Sequence, residues 1–135
     1  MKIELDSWAY KPERAHADDA GLDIKAPFGF AIAAHGDVTI NTGVHVELPQ
    51  GTAGMLVSKS GLNVRNGIIS TGLVDCGYSG QITVKLYNLT DKPYMFEAGD
   101  KITQLVIIPI LTPTIEYGAV EGGERGDSGF GSTGR

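Results

Sequence analysis

The sequence predicts an all-β domain, a sandwich or barrel of short strands, and three observations carry that prediction. Nineteen glycines and six prolines punctuate the chain, falling roughly every eight to twelve residues as turn signals do in such folds. Between them lie short runs rich in Val, Ile, Leu, Thr and Tyr, the residues that suit a pleated, half-buried surface. No window holds a helical period for more than about two turns.

The elements follow in order. Val44–Leu48 and Ala53–Val57 are apolar runs bounded by turn residues, and both read as strands. Ser60–Asn66 is the best helix candidate. Ser60 suits its N-cap and Gly67 the position just past its end. In the next strand Ile82, Val84 and Leu86 alternate with Thr83, Lys85 and Tyr87, a period of two. Ile102–Pro109 is the last apolar run. From Gly118 to Arg135 the character changes: seven of eighteen residues are glycine. So little apolar surface cannot offset chain entropy, and a mobile tail is expected. The expected division is a core over 1–117 and a flexible C-terminal lid over 118–135.

With 135 residues the chain suits one domain, able to bury roughly two-thirds of its unfolded surface without staples. A net charge of -5 argues against nucleic acid as a partner, since that binding runs on clustered Lys and Arg. It leaves room for a small phosphorylated ligand, which a few cations, backbone N–H groups and a metal can hold. The single cysteine, Cys76, excludes an intrachain disulfide and a cysteine-based zinc cage. His16, His35 and His45 lack metal-ligand spacing and read as turn or surface residues. Met1–Tyr10 is too polar for a signal peptide, and no run approaches the roughly 20 apolar residues of a membrane span.

Five segments could carry chemistry. In Asp18–Asp23 the acids flank a glycine turn, and Asp23 enters a strand-like run; carboxylates so placed suit a hard cation that keeps its waters. At Val57–Leu62 a strand gives way to a helix start, where free N–H groups, Lys59 and the Ser60 hydroxyl favour an anion. No Walker loop occurs. Gly72–Gly80 reads as a tight hairpin in which Asp75 follows Leu73 and Val74, residues of buried type. A carboxylate held there could take a proton from water, and Tyr78 could lie flat against a sugar or base. In Gly99–Leu105, Gln104 interrupts an apolar strand and needs partners if buried. In Arg125–Gly134, glycines allow close backbone approach to phosphates, Arg125 offers a bidentate fork, and Phe130 offers a stacking face.

In their order along the chain these segments resemble the five motifs of the trimeric dUTPase family. Ala20–Ala26 resembles the first, Lys59–Leu62 through Gly67-Ile68 the second, and Gly72–Gly80 the third. Gly99–Gln104 resembles the fourth and Arg125–Gly134 the fifth. The likeness covers about residues 17 to 134, and its third and fifth motifs are the specific ones. It implies a distorted jelly-roll, or β-clip, barrel with one short helix and a flexible glycine-rich tail. It implies a homotrimer with shared sites: motifs one, two and four on one chain, the third from another, the fifth as the tail of the third chain.

The resemblance implies an enzyme that hydrolyses dUTP to dUMP and pyrophosphate, limiting uracil in DNA and supplying dUMP for thymidylate synthesis. Asp75 would be the general base that aims water at the α-phosphorus. Asp23 would touch Mg²⁺ through water. Lys59, Ser60, Gly61 and Gln104 would bind phosphates. The backbone around Gly72 and Val74 would pair with the uracil edge, and Tyr78 would pack on the deoxyribose. Arg125, Gly131, Ser132 and Thr133 would clamp the γ-phosphate end while Phe130 closes over the base. A cytoplasmic location follows, or the host cytosol for a viral gene, with no nucleic-acid or membrane partner.

Three positions depart from the family pattern. Lys59 stands where Arg is usual, which loses a bidentate fork. Gln81 stands where an acid is common, and Cys76 neighbours the base. Two rival readings have sequence tests. A dCTP deaminase of the same fold would place a catalytic Glu where this chain has Lys85, and a cation cannot replace it. A binding or regulatory module without turnover sits poorly with Asp23, Ser60, Asp75, Arg125 and Phe130 all present.

Overall fold

The computed structural model describes residues 1–134; Arg135, the last residue of the expected lid, lies outside them. The strands are Lys2–Leu5 (β1), Gly21–Lys25 (β2), Phe30–Ile32 (β3), Asp37–Glu47 (β4), Thr52–Val57 (β5), Ile68–Val74 (β6), Gln81–Asn88 (β7), Tyr94–Phe96 (β8) and Lys101–Pro109 (β9), with one helix, Ser60–Asn66 (α1). Seven strands form a curled antiparallel sheet in the order β1-β4-β7-β6-β5-β9-β2, and β3 pairs with β8. The all-β, jelly-roll expectation holds. Among the described residues no helix is long and apolar enough to cross a membrane.

The alternation read in the sequence becomes burial. Ile82, Val84 and Leu86 point inward while Thr83 and Lys85 stay exposed. They join Ile24, Ile40, Val44, Ile68, Ile102 and Leu105 in one core. Burying such side chains contributes about 1.5–3 kcal/mol each.

Two irregularities shape the sheet. β6 changes partner midway: Ile68–Ser70 pair with β7, but Thr71–Val74 pair with β5. Beyond Ser70 the two strands of the presumed hairpin therefore diverge. The tight hairpin expected over Gly72–Gly80 is tight only at its tip. β4 carries a register shift between Asn41 and His45, with Gly43 at φ 68°. Its freed groups find partners: Thr42 Oγ1 donates to the Ile82 carbonyl at 2.7 Å, and the Gly43 N–H donates to Gln81 Oε1 at 3.0 Å. Gln81 thus has a local structural task as a neutral amide.

The helix spans the expected residues, but its N-cap is Lys59 and not Ser60, and no side chain caps it. Gly67 closes it at φ 60°, with its N–H donating to the Asn63 carbonyl at 3.1 Å. A Cβ there would meet Thr90 at 2.6 Å, so glycine is needed twice over. Past β9, every residue from Leu111 to Gly134 is exposed.

Candidate active site

Strand register builds the first half of the site. Thr71, Val57, Gln104 and Asp23 stand opposite one another across β6, β5, β9 and β2, so their side chains share one face. Asp23 is 2% exposed, between the core residues Leu22 and Ile24. Lys59 pairs with its Oδ1, and the Lys101 ammonium lies 2.8 Å from its Oδ2. Its backbone is bridged to Glu13, whose carbonyl accepts the Asp23 N–H at 2.8 Å. Burial works against the Asp23 charge. The hydrogen bonds and charges of Lys101 and Lys59 together outweigh it, and the carboxyl is held below the usual carboxylate range. The same contact raises the Lys101 ammonium above its ordinary value.

Gln104 lies across Gly21 and donates to the Ser58 carbonyl at 3.0 Å. A Cβ on Gly21 would fall 2.0 Å from Gln104 Oε1, so this packing needs a glycine. Lys59 precedes the uncapped first turn of α1, where Ser60 and Gly61 are exposed. Two ammonium groups, a side-chain amide and unpaired helix N–H groups thus gather around one buried carboxylate. Such a cluster can exchange its lysine–carboxylate pairs for phosphate oxygens.

The divergence of β6 from β7 builds the second half. The gap is a pocket of about 220 Å³, with Gly72–Asp75 and Tyr78 on one side and Gln81–Thr83 on the other. Leu56 of β5 also lines it. Because Thr71–Val74 pair only with β5, backbone groups on the pocket side are free to read a planar edge. The loop closes with a turn in which the Tyr78 N–H donates to the Asp75 carbonyl at 3.1 Å. Gly77 at φ 91° supplies the left-handed residue that such a turn requires. Tyr78 folds over Gly80 and donates from its hydroxyl to the Gln81 carbonyl at 3.1 Å. Asp75 is exposed, and Leu73, expected to be buried, is 65% exposed; of that pair only Val74 is buried. Cys76 is half-buried, its thiol 3.7 Å from the Leu48 and Pro49 carbonyls, as a small filler would be.

The two halves lie apart in one chain. From the Val57–Thr71 pair, Lys59 is two residues on in β5's direction and Asp75 four on in β6's opposite one. At about 3.3 Å per residue the two are roughly 20 Å apart. The third group is separate again. Among the described residues, Arg125 donates only to its own loop, to the Ser128 carbonyl at 2.7 Å and the Gly129 carbonyl at 3.2 Å. Phe130, Gly131, Ser132 and Thr133 are exposed.

Sequence reading singled out neither Lys101 nor the pocket residues Leu56 and Thr83. Lys101 and Gln104 differ in parity, so a regular strand would send them to opposite faces. A register shift beside Lys25 and Lys101 breaks that rule. Lys85 lies outside the pocket, 3.4 Å from Asp37 and over the Tyr87 ring.

Among the described residues no three acidic, His or Cys side chains gather to cage a metal. One carboxylate kept ionised by lysines fits a hydrated Mg²⁺ held chiefly by phosphate oxygens and touched through water. It does not fit an ion caged by the protein.

A family model described as dUTPase matches residues 8–134. The chain belongs to the dUTPase family. Among its dUTPase relatives, the deoxyuridine 5'-triphosphate nucleotidohydrolase of Tropheryma whipplei (strain Twist) is 40% identical over 142 aligned positions, covering 100% of this chain and 97% of its own. That of Paramecium bursaria Chlorella virus 1 is 36% identical, covering 93% and 91%. The dUTPase of Staphylococcus bacteriophage 80alpha, solved with dUPNHPP, superposes with a TM-score of 0.90 at 30% identity over 99% of this chain and 98% of its own. A variant dUTPase from phage phi11 of S. aureus, whose structure is described as showing the coordination of a structural Mg(II) ion, superposes with a TM-score of 0.79 at 28% identity, over 86% and 94%.

Proposed function

We propose that this chain hydrolyses dUTP to dUMP and pyrophosphate, in a site assembled from more than one copy of itself. The strand register carries the reading: a pocket with a carboxylate at its rim is set six residues along the sheet from the lysine cluster, roughly 20 Å by strand rise. A nucleoside triphosphate needs both within one molecule's length. A homotrimer that sets one chain's Asp75 hairpin against another's Lys59 and Gln104 satisfies this. The tail, residues 118–135, serves as a lid for a site elsewhere in the assembly; its described residues, 118–134, are all exposed.

The residues act as follows. The backbone at Gly72 and Val74 pairs with the uracil edge, and close contact along that edge rejects thymine's methyl. Tyr78 packs against the deoxyribose and blocks a 2′-hydroxyl. Asp75 orients a water and takes its proton as the oxygen attacks the α-phosphorus in line, with pyrophosphate leaving. Lys59, Ser60, Gly61 and Gln104 hold phosphate oxygens, and Ser60 steadies charge on the departing group. Asp23 would hold a hydrated Mg²⁺ through water, an ion that supplies charge neutralisation to the triphosphate. Arg125, Gly131, Ser132 and Thr133 close on the terminal phosphate and Phe130 covers the base, which excludes bulk water.

Pyrophosphate release measured with dUTP, dTTP, UTP and dCTP, each with and without Mg²⁺, tests this reading. Release from dUTP alone, dependent on Mg²⁺, is expected. Ammonia from dCTP, or nucleotide binding without pyrophosphate release, overturns it.

A further inference from the structure

His45 sits on β4 between the edge strand and the strand that leaves the hairpin: it stands opposite Glu4 of β1 on one side and Gln81 of β7 on the other. Its Nδ1 is 2.9 Å from the Ser79 carbonyl oxygen. Its Nε2 is 3.4 Å from Asp6 Oδ1. Both ring nitrogens therefore face acceptors only, a carbonyl and a carboxylate. A neutral imidazole has one N–H and can serve one of them; only the imidazolium donates to both.

We propose that His45 is a positioning residue for dUTP hydrolysis: as an imidazolium bridging Ser79 and Asp6, it latches the hairpin that carries Asp75 and Tyr78 onto the fixed edge of the sheet. This deepens the proposed function and rests on it. The latch acts at the residue next to Tyr78, on the side of the loop that β6 does not hold. The Asp75–Tyr78 turn has its own backbone bond and Tyr78 donates to the Gln81 carbonyl of β7; the His45–Ser79 contact is what ties the loop to β4. His45 is three-quarters buried at its side chain, and Asp6 is less so. The charged groups facing the imidazole are Asp6 and Glu4 from β1 and the turn after it, and Glu47 two residues on along β4, which is itself paired with Lys2 at 3.5 Å. From β7 and the hairpin come Gln81 and Ser79, which do not titrate, and the titratable Tyr78 and Cys76. Hydrogen bonding to Ser79, with the Asp6 and Glu4 charges, outweighs burial and raises the His45 pKa above its ordinary value.

The sign follows. The latch is complete below the ordinary imidazole value of about 6.5 and loses one of its two links as pH rises through the raised one. A hairpin held less tightly binds nucleoside less well, so KM rises with pH while kcat changes less.

Steady-state kinetics of the full chain with dUTP from about pH 6 to about pH 9 test this. Wild type should show KM rising about three- to tenfold, the scale of one charge-assisted hydrogen bond shared with solvent. His45→Gln keeps a donor but cannot titrate, and its KM should match the alkaline wild-type value throughout. His45→Arg is cationic with several donors and should hold the low-pH value throughout. Ionisation of the substrate cancels in the ratio of wild type to variant. A readout free of turnover is the imidazole NMR titration of wild type: saturating deoxyuridine, an uncharged probe, should raise the His45 pKa further, because coupling between proton and ligand is reciprocal. A wild-type to His45→Gln ratio that is flat with pH overturns the latch, as does a titration indifferent to deoxyuridine. A wild type that releases no pyrophosphate from dUTP overturns the underlying reading instead. Should His45→Gln not fold, the NMR titration alone decides.

Discussion

Asp23 and Asp75 are the two carboxylates to which the proposed mechanism assigns the metal and the attacking water, and the fold treats them oppositely. Asp23 lies inside β2, 2% exposed, bridged to Glu13 and held by two lysines. Asp75 lies just past β6 on an exposed turn, with no ion pair among the described residues. The first is a finished electrostatic device within one chain. In the proposed function the second is half of a site: its carboxylate stands at the rim of a pocket with no lysine or arginine among its lining residues. Charge stabilisation requires groups fixed before the ligand arrives, and β2, β5 and β9 supply that rigidity. A base that must meet another chain's ligand is better carried on the outer turn of an open hairpin.

Substitutions sharpen that contrast, from the largest effect to the smallest. Asp75→Asn should lower kcat by about 10²–10⁴-fold, the range for loss of general-base catalysis, with dUTP binding preserved. Pre-steady-state turnover together with nucleotide titration separates the two, and an unchanged kcat would remove Asp75 from the mechanism. Truncation after Gly123 should cut activity by about tenfold or more through loss of lid closure. It should leave the melting temperature nearly unchanged, because every residue removed among 124–134 is exposed.

Asp23→Asn should weaken the response to Mg²⁺ and also lower stability. It leaves Lys59 and Lys101 facing each other without their carboxylate, at a cost of about 1–3 kcal/mol, discounted because both lysines are partly exposed. The pH dependence has a definite sign. The folded pKa of Asp23 is lowered, so its contribution is complete above the unfolded carboxylate value of about 3.9. It is lost as pH falls through the folded value. Urea denaturation below about pH 4 should show wild type losing an advantage over Asp23→Asn that it holds at neutral pH. A constant gap would contradict the pairing. Lys59→Arg should have the smallest effect, lowering KM about two- to fivefold by restoring a fork on phosphate.

Much of this was legible in the sequence, for physical reasons that also mark where legibility ends. Strict alternation in β7 and the glycine after Asn66 placed a strand and a helix end, because side-chain period and left-handed backbone are local properties. The partner switch in β6 is not local. Nothing in Ile68–Val74 records that its second half leaves β7 for β5, so a tight hairpin was expected where a pocket opens. Ser60 was expected at the N-cap because cap preference is a tendency, and here Lys59 takes the position with its ammonium drawn to Asp23. The Lys101 contact was hidden by a register shift that changes which face the strand presents. His45 read as a surface histidine because its two partners come from elements 34 and 39 residues away (Ser79 and Asp6).

The most direct test mixes two defective chains. Alone, Asp75→Asn is expected to be nearly inactive and the chain truncated after Gly123 to keep at most about a tenth of wild-type activity. Refolded together in equal amounts, they should recover roughly a quarter of wild-type pyrophosphate release from dUTP, since a site drawing its base and its lid from different subunits finds both intact in about one case in four. No recovery in a mixture shown to form mixed assemblies would mean that each chain carries its own complete site.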